Sequence, residues 1–104
     1  SDSQSIKERK NLSLNGYLEI TLIVSNNGKI KKPIISFKGI PENNEHEPFI
    51  FDIEDEIFNI CRTFSLESKN QQNNLIETIK QNCRRIIREK TGKKPFTNIN
   101  IARI

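Results

Sequence analysis

The segment GYLEITLIVS, residues 16–25, constrains this chain more than any other. Side chains alternate between the two faces of a strand, so Leu18, Ile20, Leu22 and Val24 share one face and Tyr17, Glu19, Thr21 and Ile23 share the other. One face is wholly apolar and the other mixed. A strand of that kind belongs in a sheet that is covered on one side only. Asn26-Asn27-Gly28 follows, a turn whose residues tolerate the positive φ of tight hairpins. The run KIKKPIISFK, residues 29–38, is then predicted to pair back on the first strand. Pro33 cannot donate to a ladder, which assigns this second strand to a sheet edge. Gly39-Ile40-Pro41 closes the hairpin, and ENNEHEP is a polar loop.

Helical periodicity begins at DIEDEIFNICRTFSL. Ile53, Ile57, Ile60, Cys61 and Phe64 form one stripe, with Asp52 as a candidate cap and Glu54, Asp55 and Glu56 near the positive end of the helix dipole. SKNQQNN is a polar break. A second helix is predicted over about 72–90, with Leu75, Ile76, Ile79, Cys83, Ile86 and Ile87 inward. Gly92 suits a left-handed helix end, and Pro95 blocks continuation. Phe96 to Ile104 then alternates, Ile99 and Ile101 inward and Asn98 and Asn100 outward. The order is β-β-α-α-β. Three strands cannot hide an apolar face alone, so the expected fold is α+β, a two-layer sandwich with two helices packed on one face of a three-stranded sheet.

The chain has 104 residues, 34% of them hydrophobic and 29% charged, which suits one domain with a small core. The opening SDSQSIKERKN has no apolar stripe, so residues 1–13 are assigned to a linker or vector-derived remnant and the domain to 14–104. With no Met, the chain is expected to be a fragment of a longer protein or a processed one. No stretch approaches the roughly 20 apolar residues of a membrane span, and no signal-peptide core is present, so no membrane partner is expected. Cys61 and Cys83 lie on helix stripes with no Cys or His cluster around them, and the single His46 sits in the acidic loop. They are read as buried small hydrophobes in a reducing, cytoplasmic setting, with no metal and no other cofactor held here. No Ser, Thr or Glu has a neighbouring base, so no catalytic residue is assigned.

Charge is segregated along the chain. Residues 42–56 carry seven acids and no Lys or Arg, whereas residues 80–94 carry seven bases against Glu89. Arg84, Arg85, Arg88, Lys90, Lys93 and Lys94 are the candidate contacts for RNA or for another subunit, because cations one helical turn apart suit phosphate. The mixed outer face of the sheet, with Tyr17, Thr21, Ile23 and Asn98, is a candidate interface.

Residues 15–104 resemble the C-terminal domain of ribonuclease J, a metallo-β-lactamase/β-CASP ribonuclease. The resemblance lies in NGYLEITLIVSNNGKI, in KKPIISFKGIP and above all in IKQNCRRIIREKTGKKPFTNINIARI. In that family a hairpin carries spaced Gly, Ile and Pro residues, here Gly28, Ile30, Pro33, Ile35 and Gly39. A helix with paired bases, here Arg84 and Arg85, then leads through Thr-Gly, two basic residues and Pro, here Thr91 to Pro95, into an apolar last strand. The Gly-Ile-Pro after the second strand is most similar to alphaproteobacterial members. The first helix and the QQNN connector have no residue-by-residue match. The resemblance implies a cytoplasmic parent with RNA endonuclease and 5′→3′ exonuclease activity, whose zinc is held by His and Asp motifs in a catalytic domain outside this sequence. It implies for this domain a non-catalytic role in homo-oligomerisation and RNA handling. A stand-alone RNA-binding module or a protein–protein adaptor is the alternative.

Overall fold

A computed structural model describes residues 2–40, 49–66 and 68–104. Its elements are α1 (Asp2–Asn15), β1 (Tyr17–Val24), β2 (Ile34–Lys38), α2 (Phe49–Cys61), α3 (Lys69–Thr91) and β3 (Phe96–Arg103). The three strands form one sheet in the order β2-β1-β3. β2 runs antiparallel to β1, and β3 runs parallel to it, from Tyr17 opposite Phe96 to Val24 opposite Arg103. The α+β, two-layer reading is therefore what the chain adopts, with α2 and α3 packed against the sheet.

The core is the apolar face of β1 pressed against the helix stripes. Leu18, Ile20, Leu22, Ile53, Ile57, Leu75, Ile79, Cys83 and Ile87 are all buried, and Ile35, Phe37, Phe64, Ile76 and Ile86 pack at its margin. Each fully buried Leu or Ile contributes about 1.5–3 kcal/mol relative to an exposed one. The hairpin turns at Asn26–Gly28. The Gly28 amide donates to the Ser25 carbonyl at 2.9 Å, and Gly28 supplies the positive φ of 79° that a three-residue loop needs at its end.

The second strand is shorter than the sequence pattern suggests. Ile30 makes an isolated bridge to Val24, but regular pairing resumes only at Ile34 opposite Thr21. Three residues, 31–33, thus oppose two on β1, a bulge that accommodates Pro33, which has no amide hydrogen to give.

Both helices differ from their expected limits. α2 begins at Phe49, whose ring lies 4.9 Å from that of Phe37 and which extends the buried stripe one turn back from Ile53. Asp52 therefore sits in the first turn and is no cap. It pairs instead with Lys90, Oδ2 to Nζ 2.8 Å. α2 ends at Cys61, short of the expected Leu66, and the Thr63 hydroxyl donates to the Ile60 carbonyl at 2.8 Å.

α3 starts within the expected polar break. The Ser68 hydroxyl accepts the Gln71 amide at 3.1 Å and caps the helix, while the Gln72 side-chain amide donates to the Leu66 carbonyl at 2.9 Å. Its far end follows expectation. Gly92 has φ 75° and its amide donates to the Arg88 carbonyl.

Asp2–Asn15 is helical but carries no apolar stripe, and all but its last two residues fall in the stretch 1–13 assigned from sequence to a linker or remnant. Those two residues lie beside the start of β3. The ENNEHEP loop, with His46 and three of the acids, lies outside the described residues.

Candidate cationic depression and open sheet face

Arg84, Arg85 and Arg88 stand on the solvent side of α3, opposite the Leu75–Ile79–Cys83–Ile87 stripe. The left-handed turn at Gly92 redirects the chain so that Lys94 comes back toward them. The four cations line a shallow depression of about 450 Å³ together with Gln81 and Asn82. Asn82 accepts a hydrogen bond from the Arg85 guanidinium at 2.9 Å, and Glu89 lies 3.7 Å from the same side chain. An exposed pair at that distance does little to neutralise Arg85. Gln81 and Asn82 were not singled out from sequence, although their spacing of three residues from Arg84 and Arg85 sets them on the same helix surface.

The other two cations of the sequence cluster go elsewhere. Lys90 turns toward α2 and meets Asp52. Lys93 reaches back to the Leu14 carbonyl, and the Lys94 amide donates to the Asn15 side chain at 3.1 Å. Lys93 thus ties the end of α1 to the helix–strand turn.

The second candidate surface is the uncovered face of the sheet. Tyr17, Thr21, Ile23 and Asn98 all lie there, as the alternation of β1 and β3 dictates. Tyr17 is stacked on Phe96, with ring centroids 5.8 Å apart and planes 10° from parallel. Phe96 shares parity with Asn98 and Asn100, so its outward aim was legible, but its place beside Tyr17 depends on the strand register. Tyr17 also donates its hydroxyl to the Glu19 carboxylate, and that hydrogen bond holds the phenol above its ordinary pKa. The other oxygen of Glu19 accepts from the Asn100 amide at 2.8 Å. Ile34, more than half exposed, completes this face from β2.

Both cysteines are free thiols. Burial pushes Cys61 up to about 11; burial and the nearby Glu56 carboxylate push Cys83 up to about 12. Neither is ionised near neutral pH, so neither is a ready nucleophile or metal ligand. Among the described residues, no three His, Cys, Asp or Glu side chains gather where they could hold a metal ion, and no helix is long and apolar enough to cross a membrane.

Fold and surfaces together define a small α+β domain with a cationic hollow on its helical side and an open, partly aromatic sheet on the other. The family model for the ribonuclease J C-terminal domain matches residues 4–104, and the chain belongs to that family. The matched stretch includes most of α1. No curated protein matches the chain.

Proposed function

We propose that this chain is a non-catalytic accessory domain of a ribonuclease J of alphaproteobacterial type, acting in the cytoplasm and supporting both homo-oligomerisation and the handling of RNA. On this reading the parent cleaves RNA endonucleolytically and from the 5′ end, and the zinc it needs is held by a catalytic portion outside these 104 residues. The observation that supports RNA handling is the convergence of Arg84, Arg85, Arg88 and Lys94 on one hollow. Arg84 and Arg88 are separated by about 6 Å along the helix axis. Guanidinium groups so spaced can each engage a phosphate of one strand.

Counterion release sets the size of the test. If four cations contact a single strand, log K falls with log salt at a slope of about −2.8, and losing two of them brings it to about −1.4. Titrating a single-stranded RNA oligomer into the chain at several salt concentrations measures this. Arg84→Glu with Lys94→Glu is expected to weaken binding and flatten the slope. Unchanged affinity and slope would remove RNA contact from the hollow.

A second reading, in which bases stack on the sheet, draws support from the Tyr17–Phe96 pair. Phe96→Ala weakens RNA binding without altering the salt slope if that surface is used, and the charge variants then have little effect.

A further inference from the structure

We infer that the groove between the tip of the β1–β2 hairpin and the α2–α3 connector docks a short acidic segment of a partner protein, one that sets a leucine- or phenylalanine-sized side chain between flanking carboxylates. The inference stands apart from the RNA and oligomerisation readings above, since it uses none of their residues.

The groove lies where the hairpin tip meets the turn from α2 into α3. A hollow of about 600 Å³ is walled by Ile30 from the hairpin, Cys61 from the end of α2, Phe64 and Leu66 from the connector and Leu75 from α3. A second hollow, of about 350 Å³, shares Ile30 and Cys61 with the first and adds Phe58. Leu75 is buried at the floor, and the other side chains are only half-buried. Each hollow lies within the size range of pockets that enclose a ligand, about 300–1,000 Å³. The Cys61 thiol is pushed up by burial and stays neutral near pH 7, so the walls carry no charge.

Charge is confined to the rim and has one sign. Among the described residues, Lys29, Arg62 and Arg103 border the two hollows and no acidic side chain does. None of the three cations has an acidic partner among those residues. Arg103 uses one donor on the Leu66 carbonyl, at 3.3 Å, which leaves the rest of its guanidinium for a carboxylate. A cation beside an apolar wall attracts a carboxylate more strongly than one in open water does. The connector is also fixed before anything binds. The Thr63 hydroxyl and amide donate to the Ile60 carbonyl at 2.8 and 3.0 Å, the Ser65 amide to the Gln71 side chain at 3.1 Å, and the Gln72 side chain to the Leu66 carbonyl at 2.9 Å. A wall held in this way loses little freedom when a peptide arrives.

The chemistry of the lining separates this groove from the hollow on α3 and selects the occupant. Around Arg84 and Arg88 the lining side chains are all polar or charged, which suits phosphate. Here the cations ring an apolar interior, and Ile30, Leu66 and Leu75 present no flat face on which a base could stack. An acidic stretch that carries one large apolar side chain satisfies both parts, with carboxylates at the rim and hydrocarbon in the groove. A basic or a purely polar peptide satisfies one part at most.

A panel of short fluorescent peptides tests the inference, each with Asp or Glu at the outer positions and Leu, Ile or Phe at the central ones, titrated into the whole chain and followed by anisotropy. Members of the panel are expected to bind saturably and to shift the amide NMR signals of residues 28–30, 61–66 and 103. Replacing their central residues with Ala, or their acids with Lys, is expected to abolish binding. Lys29→Glu with Arg62→Glu, both exposed, is expected to weaken binding about ten-fold or more, and by less in high salt. Arg84→Glu with Lys94→Glu is expected to leave it unchanged. Absence of binding by every acidic peptide overturns the inference. Shifts that fall elsewhere, or full affinity in the Lys29 and Arg62 variant or for the Ala and Lys peptides, overturn it too. Single-stranded RNA that displaces the peptide from the same amides would assign the groove to nucleic acid instead. Shifts of those amides on concentrating the chain alone would assign it to a second copy, and either result refutes a peptide partner. None of these outcomes bears on RNA contact at the α3 hollow, which the salt slope measures separately.

Discussion

Gly16 and Gly92 hold nearly the same left-handed backbone angle, φ 83° and φ 75°, yet replacing them with Ala should cost very different amounts. At Gly92 a new Cβ meets nothing within 4 Å, so the penalty is only the left-handed strain of an L-residue, about 1–2 kcal/mol. Part of that is returned, because Ala restricts the unfolded chain by about 0.4–1 kcal/mol relative to Gly. At Gly16 the same Cβ would lie 2.6 Å from the Lys38 carbonyl oxygen, 2.7 Å from Ile40 Cγ1 and 2.9 Å from the Gly39 carbonyl carbon. Two of those three atoms are backbone. The end of the hairpin must move, and Gly16 also accepts the amide of Phe96, so β3 moves with it. Overpacking of this kind adds about 1–3 kcal/mol. Gly92→Ala should therefore lose about 1 kcal/mol and Gly16→Ala about 2–4 kcal/mol, a large part of the 5–15 kcal/mol typical of a domain. Urea denaturation followed by circular dichroism measures both from their midpoints at constant slope. Equal midpoints for the two variants would refute the claim that the helix–strand junction at Gly16 is clamped against the hairpin.

Removing residues 96–104 takes away the strand that covers one whole side of β1, along with buried Thr97 and Ile99, and should abolish the cooperative thermal transition. A truncated chain that still melts sharply would contradict this. Alkali should also weaken the fold. Cys83 ionises near 9.0 when unfolded but only at about 12 when folded, so its protonated form is favoured by folding. That contribution is complete below pH 9 and is lost as pH rises toward 12. At pH 10 the loss from this thiol is about 1.4 kcal/mol. Cys61 acts in the same direction. Comparing urea midpoints at pH 8 and pH 10 for the wild-type chain and Cys83→Ala checks this, since the variant should show a smaller drop.

Much of the fold was legible because β1 writes its two faces so plainly. Leu18, Ile20, Leu22 and Val24 could only be interior, and the stripes on α2 and α3 could only cover them. What stayed hidden depended on partners far apart in sequence. Asp52 looks like a cap until Phe49 extends the stripe and Lys90 comes within 2.8 Å. Lys69 to Asn74 look like a connector because polar residues show no periodicity. A Ser cap and the helix already running downstream make their helical state inexpensive. The parallel pairing of β3 with β1 is set by the α2–α3 crossover, which neither strand records. In the cationic hollow, the Arg84–Arg88 spacing was readable at once. The return of Lys94 through the Gly92 turn, and the loss of Lys90 to Asp52, were not. Tyr17 has no aromatic neighbour within β1, and only the strand register brings Phe96 beside it.

The placement of β1 between its hairpin partner and the last strand also bears on how the chain is made. Tyr17 meets a residue synthesised 79 positions later, so the ribosome has released both helices before the sheet can close. Until then the nascent chain displays a naked hydrophobic strand at the tunnel mouth. Slow synthesis or a stall late in translation would lengthen that exposure, a hazard of topologies dominated by distant pairings.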